Sequence, residues 1–311
     1  MTQIILHNYP QSPVAEKARV ALGLKGLVWH SVEIPRLAPK PNLTKLTGGY
    51  RRTPVMQIGA DIYCDSAVVI DELERRFPDP TFYPTADRGM ARLLSRWTDG
   101  PMFDQAVKIV LGSAGDALPA DFAKDRGRLY LGPDWSEGLK AAGAALPHFA
   151  SQFRGPFSWL NDQLSDGRGF LLGSDPGAID AQIYHIIWFL RGRWAQGPQF
   201  LSEFNHLTAW EARVAEIGHG TVSDMTPEAA IEVAKADIAT REAEDPNDPQ
   251  GLRPGMRVTV CPDIDGGEQP VDGRVRAVTA DRLAILRDDP DLGHICVHFP
   301  RVGYRVTALR S

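Results

Sequence analysis

The spacing of apolar residues divides the chain into three parts. Up to about residue 80, short apolar or β-branched runs alternate with helical patterns, which predicts a small α/β domain over residues 1–80. Over residues 87–242 the apolar positions recur at helical spacing without a convincing strand, which predicts an all-helical bundle. About five short β-branched runs in residues 251–311 predict a small β-barrel. The expected fold class is therefore α+β and multidomain.

Local signals give the order of elements within these parts. Residues 1–80 are predicted to run strand, helix, strand, short helix, strand, strand, helix, and Ser12-Pro13 is a natural start for the first helix. A wide apolar face over residues 179–190 predicts the central helix of the bundle. The other helices of the bundle are expected over residues 88–108 with an interruption at Gly100-Pro101, 135–146, 149–164, 200–217 and 227–242. Turns are expected at 265–267, 272–273 and 288–290 in the final part.

The stretch from Arg51 to Ile58 and the pair Asp65-Ser66 contain the first candidate chemistry. Pro54 has no N–H to give to a sheet, so it belongs at the entry of an edge strand, and the Val55 backbone would be free to pair with an extended peptide. Asp65 and Ser66 stand at a predicted helix start, where the first amides favour an anion. Each feature alone is also typical of an ordinary X-Pro turn or helix cap. Together they suit a small acidic peptide.

Composition and charge narrow the class of protein. The chain has 43% hydrophobic and 23% charged residues, a net charge of −5 and a pI of about 5.9, so nothing favours nucleic acid as a partner. We find no apolar run long enough for a bilayer and no signal-peptide pattern. Cys64, Cys261 and Cys296 are odd in number and widely spaced, which argues against a disulfide framework. We therefore expect a cytoplasmic enzyme or binding protein.

With these residues in hand, the chain resembles the glutathione S-transferase superfamily over about residues 1–240, which implies a thioredoxin-like domain followed by an all-helical domain. The resemblance is closest to the serine- and cysteine-type classes. Its motifs are residues 9–13 (YPQSP) with 17–19 (KAR), residues 52–55 (RTPV) as a cis-proline motif, Asp65-Ser66, and the segment 170–180 that opens the core helix of the second domain. The family usually has Ser or Thr as the cap of that helix, where this chain has Gly177. Residues 251–311 lie outside the resemblance and have no role that it implies.

The resemblance implies glutathione as co-substrate and a hydroxyl that stabilises its thiolate. A free thiol has a pKa near 8.5, and a hydroxyl at the positive end of a helix would lower that pKa. Ser12 is the first candidate for this hydroxyl and Tyr9 is the second. The alternative for Ser12 is an N-cap alone, and the two roles are compatible.

The same resemblance implies where the rest of glutathione would bind. Thr53-Pro54 would be the cis-proline pair, and Val55 would pair with the cysteinyl backbone. Ser66 would bind the γ-glutamyl carboxylate and Asp65 the γ-glutamyl ammonium. Arg52 would pair with the glycine carboxylate, unless it is simply solvated.

Three further predictions concern the neighbouring chemistry. Met102, Phe103 and Trp188, together with Trp194, are candidates for an electrophile pocket, although apolar residues at helical spacing are more often plain core. Relatives that reduce disulfides carry Cys where this chain has Ser12, so that chemistry is disfavoured, and Cys64 is expected to be buried and inert.

The alternating residues His294, Cys296 and His298 would share one face of a strand. Three ligands fall short of a structural zinc site, so no metal is expected. We expect instead a solvent-facing edge that docks on the helical domain.

The leading hypothesis is a homodimeric glutathione transferase that conjugates an apolar electrophile or reduces an organic peroxide. The alternative is a non-catalytic protein of the same fold whose C-terminal β domain recruits a partner.

Overall fold

The computed structural model describes residues 3–236, 238–264 and 266–309, and the chain forms two compact units. The first, called here the sheet unit, joins the N-terminal segment up to Ala18, Val28–Arg75 and the C-terminal segment from Thr221. The second, called the helical unit, consists of Arg19–Leu27 and Arg76–Gly220. The strands after residue 250 therefore share a compact unit with residues 28–75.

Ten strands of the sheet unit form one sheet. The strands are β1 (Ile5–Asn8), β2 (Val28–Glu33), β3 (Val55–Ile58), β4 (Asp61–Cys64), β5 (Thr221–Asp224), β6 (Arg257–Pro262), β7 (Val271–Val278), β8 (Arg282–Asp289), β9 (Gly293–Pro300) and β10 (Tyr304–Ala308). Their order is β10-β6-β7-β8-β9-β4-β3-β1-β2-β5. β1 is parallel to β2 and antiparallel to β3, and β3 is antiparallel to β4. The predicted thioredoxin-like order is confirmed, and the sheet extends beyond it on both sides.

The junction between β4 and β9 explains why the C-terminal strands join this sheet. β9 adds to β4 in parallel, with Asp61 opposite Cys296 and Ile62 opposite Val297. All four residues of β4 are buried, and residues 295–300 of β9 are buried on both faces, as expected for a strand inside a sheet. The strands predicted after residue 250 are confirmed. Within the described residues they continue the sheet, which runs from β10 to β5 without closing.

Two predictions for this sheet are wrong. β3, which follows Pro54, lies between β1 and β4 and is an interior strand rather than an edge strand. Residues 272–273 lie inside β7 rather than in a turn. A Cβ on Gly273 would lie 2.8 Å from the Leu286 carbonyl oxygen, so the glycine permits a close approach of β8 and does not make a turn.

The segment after residue 220 also differs from the prediction. β5 pairs in parallel with β2, with Val28 opposite Thr221, although no strand was predicted there. All its residues are exposed, so it lacks the apolar alternation by which a strand is recognised. The predicted helix over 227–242 ends at Val233 in the structure.

Helices make up most of the helical unit, and its predicted all-helical character is confirmed. The α-helices of the described chain are α1 (Pro13–Leu24), α2 (Pro41–Thr47), α3 (Ser66–Arg76), α4 (Arg88–Trp97), α5 (Phe103–Ala114), α6 (Ala120–Leu131), α7 (Trp135–Ala144), α8 (Leu146–Leu164), α9 (Ala178–Arg193), α10 (Gly197–Leu201), α11 (Asn205–Ile217) and α12 (Pro227–Val233). A π-helical turn, Thr98–Met102, separates α4 from α5 at Pro101, where the interruption was predicted. Among the described residues, no helix is long and apolar enough to cross a membrane.

The start of α9 shows why this chain has Gly177 as a cap. The Asp180 carboxylate is buried and accepts hydrogen bonds from the Gly177 N–H at 2.8 Å, the Leu171 N–H at 2.9 Å and the Trp210 indole N–H at 2.8 Å. A Cβ at position 177 would lie 2.7 Å from the Phe82 carbonyl oxygen. A serine or threonine would not fit without a shift of the backbone, so Asp180 supplies the cap.

Candidate functional site

Ser12 lies in the tight turn between β1 and α1. Its backbone N–H donates to the Tyr9 carbonyl at 3.1 Å, and its Oγ accepts from the Ala15 N–H at 3.2 Å. The side chain is therefore the N-cap of α1, as predicted, and the residue is only 2% exposed. Capping uses a lone pair of the hydroxyl oxygen, whereas stabilising a thiolate would use the O–H proton. The two roles remain compatible in this geometry.

Tyr9, the second candidate, lies beside a lysine that sequence reasoning missed. The Lys40 ammonium is 5.7 Å from the centroid of the Tyr9 ring. It donates to the Arg51 carbonyl at 3.0 Å and to Thr53 Oγ1 at 3.2 Å, and Lys40 is buried. Lys40 is the N-cap residue of α2, where a cation is unfavourable. The sequence gives no local signal for this role of Lys40, because its contacts with residues 51 and 53 depend on the fold.

The Thr53-Pro54 peptide bond is cis, as the resemblance implied. Val55, however, is paired on both sides, with His7 of β1 and Cys64 of β4. The free backbone edge predicted at Val55 is therefore wrong, because interior strands have no unpaired side. Thr53 precedes β3 and lies outside the ladder.

Asp65 and Ser66 begin α3, as predicted. Asp65 Oδ1 accepts from the Ala67 N–H at 2.8 Å, and Ser66 is buried at the first helical position. Asp65 Oδ2 accepts from the Tyr304 hydroxyl at 3.0 Å, and that hydroxyl also lies 3.2 Å from the Tyr50 hydroxyl. Burial, together with the charge of Asp65, raises the pKa of Tyr304 well above its usual value, so Tyr304 is a neutral donor.

Arg52 is held by the C-terminal segment. Its Nε donates to Glu268 Oε1 and its Nη2 donates to Glu268 Oε2 at 3.2 Å and to the Ile264 carbonyl at 3.0 Å. Burial lowers the pKa of Arg52, but the hydrogen bonds and charge of Glu268 outweigh burial and leave the pKa raised. The alternative of a simply solvated Arg52 is wrong. Neighbouring Arg51 donates to the Gly266 carbonyl at 2.9 Å.

Glu268, Tyr304 and Tyr50 were not predicted as site residues. Glu268 and Tyr304 follow their partners Arg52 and Asp65 by more than 200 residues in the sequence. No local pattern marks such a contact, because it depends on the pairing of β9 with β4.

Cys64 is buried, as predicted. Burial and the charge of Asp65 raise its pKa well above the usual value for a thiol, so it is an unreactive neutral thiol.

The three alternating residues of β9 do not share one environment. His294 is exposed and pairs with Asp288 at 2.7 Å, whereas Cys296 and His298 are buried. The expected solvent-facing edge is wrong for these two, because β4 covers that edge of the strand.

Asp61 completes a buried polar cluster with them. Its Oδ1 accepts from His298 Nε2 at 2.9 Å and from the Thr240 hydroxyl at 2.5 Å, and its Oδ2 accepts from the Ala239 N–H at 3.0 Å. The carboxylate, the Cys296 thiol and the His298 imidazole lie within 4.8 Å of one another. Burial raises the pKa of Cys296, so the thiol is protonated, and hydrogen bonds already satisfy the carboxylate.

The proposed pocket residues lie in the helical unit. Met102 and Phe103 are buried, and the Phe103 ring is 5.7 Å from His185 and 6.0 Å from Phe189. Trp188 is half-buried on α9. Phe103 thus has the contacts of a core residue of this unit.

Comparisons with known proteins identify the family of the chain. The glutathione S-transferase N-terminal domain matches residues 6–81, and the C-terminal domain matches residues 143–213. A GST-like protein from Pseudomonas syringae is 36% identical, with a TM-score of 0.82 over 99% of this chain and 100% of its own. The chain therefore belongs to the glutathione S-transferase superfamily.

More distant structures share the fold. FzlA from C. crescentus is 19% identical, with a TM-score of 0.51 over 68% of this chain and 87% of its own. The beta-etherase LigF from Sphingobium sp. is 15% identical, with a TM-score of 0.53 over 69% of this chain and 98% of its own. No curated protein matches the chain.

Proposed function

We propose that this protein is a glutathione transferase that activates the glutathione thiol at Ser12. The observation that carries the proposal is the register of three strands. Because His7 lies opposite Val55 and Val55 lies opposite Cys64, the end of β1, the start of β3 and the end of β4 meet at one end of the sheet. This brings the Ser12 turn, the Thr53-Pro54 pair and the start of α3 together. A tripeptide with charged ends fits such a site.

The chemistry proposed for the site begins with loss of the thiol proton to solvent. The Ser12 hydroxyl would donate to the thiolate, and the N-terminal end of α1 and the Lys40 ammonium would add positive potential. The thiolate sulfur would then form a bond to an electrophilic carbon as the leaving group departs with its electron pair. With an organic peroxide, the thiolate sulfur would attack one peroxide oxygen, and the O–O bond would break with its electron pair leaving on the alkoxide. A second glutathione would then convert the resulting sulfenic acid to glutathione disulfide and water. Met102, Phe103 and Trp188 remain our proposal for the residues that contact the apolar electrophile.

Glutathione affinity tests this proposal directly. Titration calorimetry on the wild type and on Ser66→Ala should give binding in the micromolar to millimolar range that weakens about tenfold in the variant. The amide and hydroxyl at the start of α3 are the proposed carboxylate partners, and removing the hydroxyl takes away one charge-assisted hydrogen bond. Absence of binding to either protein at millimolar glutathione would contradict the enzyme proposal.

The second candidate function is a non-catalytic binding protein of the same fold. The observation that favours it is the capture of Arg52 and Asp65 by Glu268 and Tyr304 of the C-terminal segment. Deleting residues 251–311 would not separate the two functions, because β9 is part of the central sheet. Glu268→Gln removes the carboxylate that holds Arg52. If this variant still fails to bind glutathione at millimolar concentration, the result favours the non-catalytic function.

We also propose a homodimer and a cytoplasmic location. Met90, Leu93, Leu94 and Trp97 form an apolar stripe along α4, and each is at least 40% exposed. Side chains at this spacing share one helix face, and such a face is typical of a protein interface.

The proposed cytoplasmic location rests on the cysteines. The three cysteines are free, which suits a reducing compartment.

A further inference from the structure

The charged end of Arg52 is held by a carboxylate of the protein itself. We propose that Glu268 competes with the glycine carboxylate of glutathione for Arg52, so that the intact protein favours γ-glutamyl thiols whose other end carries no carboxylate. This inference rests on the proposed function, since it concerns the ligand class of that same site. It assigns a role in ligand selection to the C-terminal strands, which lie outside the residues matched by the family domains.

The protein holds the Glu268 carboxylate in position beside Arg52. The Glu268 side chain is only 3% exposed, and its Oε2 also accepts the Gly266 N–H at 3.1 Å. Arg51 and Arg52 both donate to carbonyls of the same segment, at Gly266 and Ile264. The carboxylate is therefore oriented by its own loop before any ligand arrives, and a bidentate guanidinium pair is the strongest arrangement available to it.

A carboxylate of the same folded chain competes without having to diffuse to the site. A ligand that needs Arg52 loses affinity by the fraction of time that Glu268 holds the guanidinium. A second carboxylate beside Arg52 would also be repelled by Glu268. A γ-glutamyl thiol whose glycine is esterified or absent does not need Arg52 and is not repelled by Glu268.

The other end of the proposed ligand meets a different environment. Asp65 accepts from Tyr304, but that donor is a neutral hydroxyl, and a carboxylate has about four lone-pair sites. An ammonium can therefore still bind Asp65, and Ser66 remains at the start of α3. Arg52 thus faces a charged competitor, whereas Asp65 has only a neutral neighbour. The favoured ligands therefore keep the γ-glutamyl end and lack a carboxylate at the other end.

The structure also contains a place to which Glu268 can move. A cavity of about 170 Å³ beside Glu268 is lined by Cys261, Pro262, Asp263, Pro270 and Arg305. Arg305 offers a second cation there, and its Nε lies 4.0 Å from Asp263. Movement of Glu268 toward Arg305 would release Arg52 without leaving a buried carboxylate unpaired.

The experiment compares two ligands on three proteins. Glutathione and its glycyl monoethyl ester, which lacks the glycine charge, are titrated calorimetrically into the wild type, Glu268→Gln and the control Asp272→Asn. Asp272 is an exposed acidic residue of β7 that pairs with Arg257, so its substitution removes the same charge away from Arg52 and Arg305. We expect the wild type to bind the ester at least as tightly as glutathione, and Glu268→Gln to bind glutathione about tenfold more tightly with less than a threefold change for the ester. Asp272→Asn should leave both affinities unchanged.

Other outcomes separate this inference from the proposed function. If the wild type binds glutathione clearly more tightly than the ester, Glu268 does not compete and the inference is overturned, while the glutathione site stands. This comparison needs no variant, so it holds even if Glu268→Gln misfolds. Equal glutathione affinity in the wild type and a folded Glu268→Gln also overturns the inference alone. Absence of binding by both ligands to all three proteins overturns the proposed function and the inference with it.

Discussion

Ser12 has one observed task and one proposed task, and the two differ in energetic size. As the N-cap of α1 it contributes about 1 kcal/mol to stability, while a correctly placed donor to a thiolate contributes a larger factor to the rate. The structure shows the capping contact and leaves the O–H proton for the second task. Substitutions that keep one task and remove the other can separate them.

Ser12→Gly is expected to lower kcat/KM with glutathione about 100-fold while changing the free energy of unfolding by only a few tenths of a kcal/mol. Glycine is tolerated at an N-cap but has no hydroxyl. The measurements are steady-state kinetics and urea denaturation, with Tyr9→Phe as the matched loss of a hydroxyl in the same turn. A larger loss of activity in Tyr9→Phe would assign the thiolate contact to Tyr9.

His7 makes stability depend on pH. It is buried in β1 with its Nε2 2.9 Å from Gln57 Oε1, and burial lowers its pKa from 6.5 to about 4, against a smaller opposing effect of the hydrogen bond. Between these values the unfolded chain binds a proton that the folded chain does not. Stability is therefore complete above about pH 6.5 and falls as the pH drops toward 4.

The loss attributable to His7 is about 3 kcal/mol across that range. Urea denaturation at pH 4.5 and pH 7 should show a smaller difference in unfolding free energy for His7→Gln than for the wild type. His148→Gln removes an exposed histidine of α8 and should keep the wild-type difference. An equal pH dependence in wild type and His7→Gln would show that other buried groups, such as His298, dominate.

At the scale of elements, β9 joins the C-terminal strands to the rest of the sheet. Its apolar residues share one core with β3, β4 and α2, and the Phe299 ring is 6.0 Å from Tyr50 and 5.5 Å from Tyr304. A core shared in this way predicts that the sheet unit unfolds as one cooperative body.

Phe299→Ala is expected to destabilise the sheet unit by about 3–5 kcal/mol, because it opens a cavity in that shared core. Hydrogen exchange should then rise together in β3, β4 and β9. Val302→Ala, at a half-exposed position in the following turn, is the matched control and should cost less than about 0.5 kcal/mol. Faster exchange confined to the C-terminal strands would show that they unfold independently.

The apolar stripe on α4 supports the proposed homodimer. Leu93→Glu places a charge in the middle of the stripe and should convert the dimer to a monomer, as measured by size-exclusion chromatography with light scattering. Trp159→Glu, which removes an isolated exposed aromatic residue of α8, should leave the mass unchanged. A dimer that persists in Leu93→Glu would place the interface elsewhere.

At the scale of the whole molecule, the C-terminal strands are part of the fold rather than an appendage. The similarity to the Pseudomonas syringae protein extends over 99% of this chain, and those strands lie in one compact unit with residues 28–75. They also bring Glu268 and Tyr304 to the proposed glutathione site. Any measurement of that site must therefore use the full chain.

Much of the architecture was predictable because it depends on local order. The element sequence from β1 to α3, the interruption at Gly100-Pro101 and the strands after residue 250 follow from periodicity, proline and glycine. The motifs at Ser12, Thr53-Pro54 and Asp65-Ser66 are recognisable for the same reason, since each is a turn or helix start encoded by adjacent residues. The sequence also showed that Gly177 departs from the usual cap residue of the family. It did not show the reason, which is the close approach of the Phe82 carbonyl.

The partners of these motifs depend on contacts between residues that are distant in the chain. The pairing of β9 with β4 makes β3 an interior strand, buries Cys296 and His298 beside Asp61, and delivers Glu268 to Arg52 and Tyr304 to Asp65. A carboxylate more than 200 residues away leaves no local trace, because strand pairing is set by the complementarity of whole faces and edges. Local motifs thus marked the proposed glutathione site in the sequence, whereas long-range packing decides which of its charges are already paired.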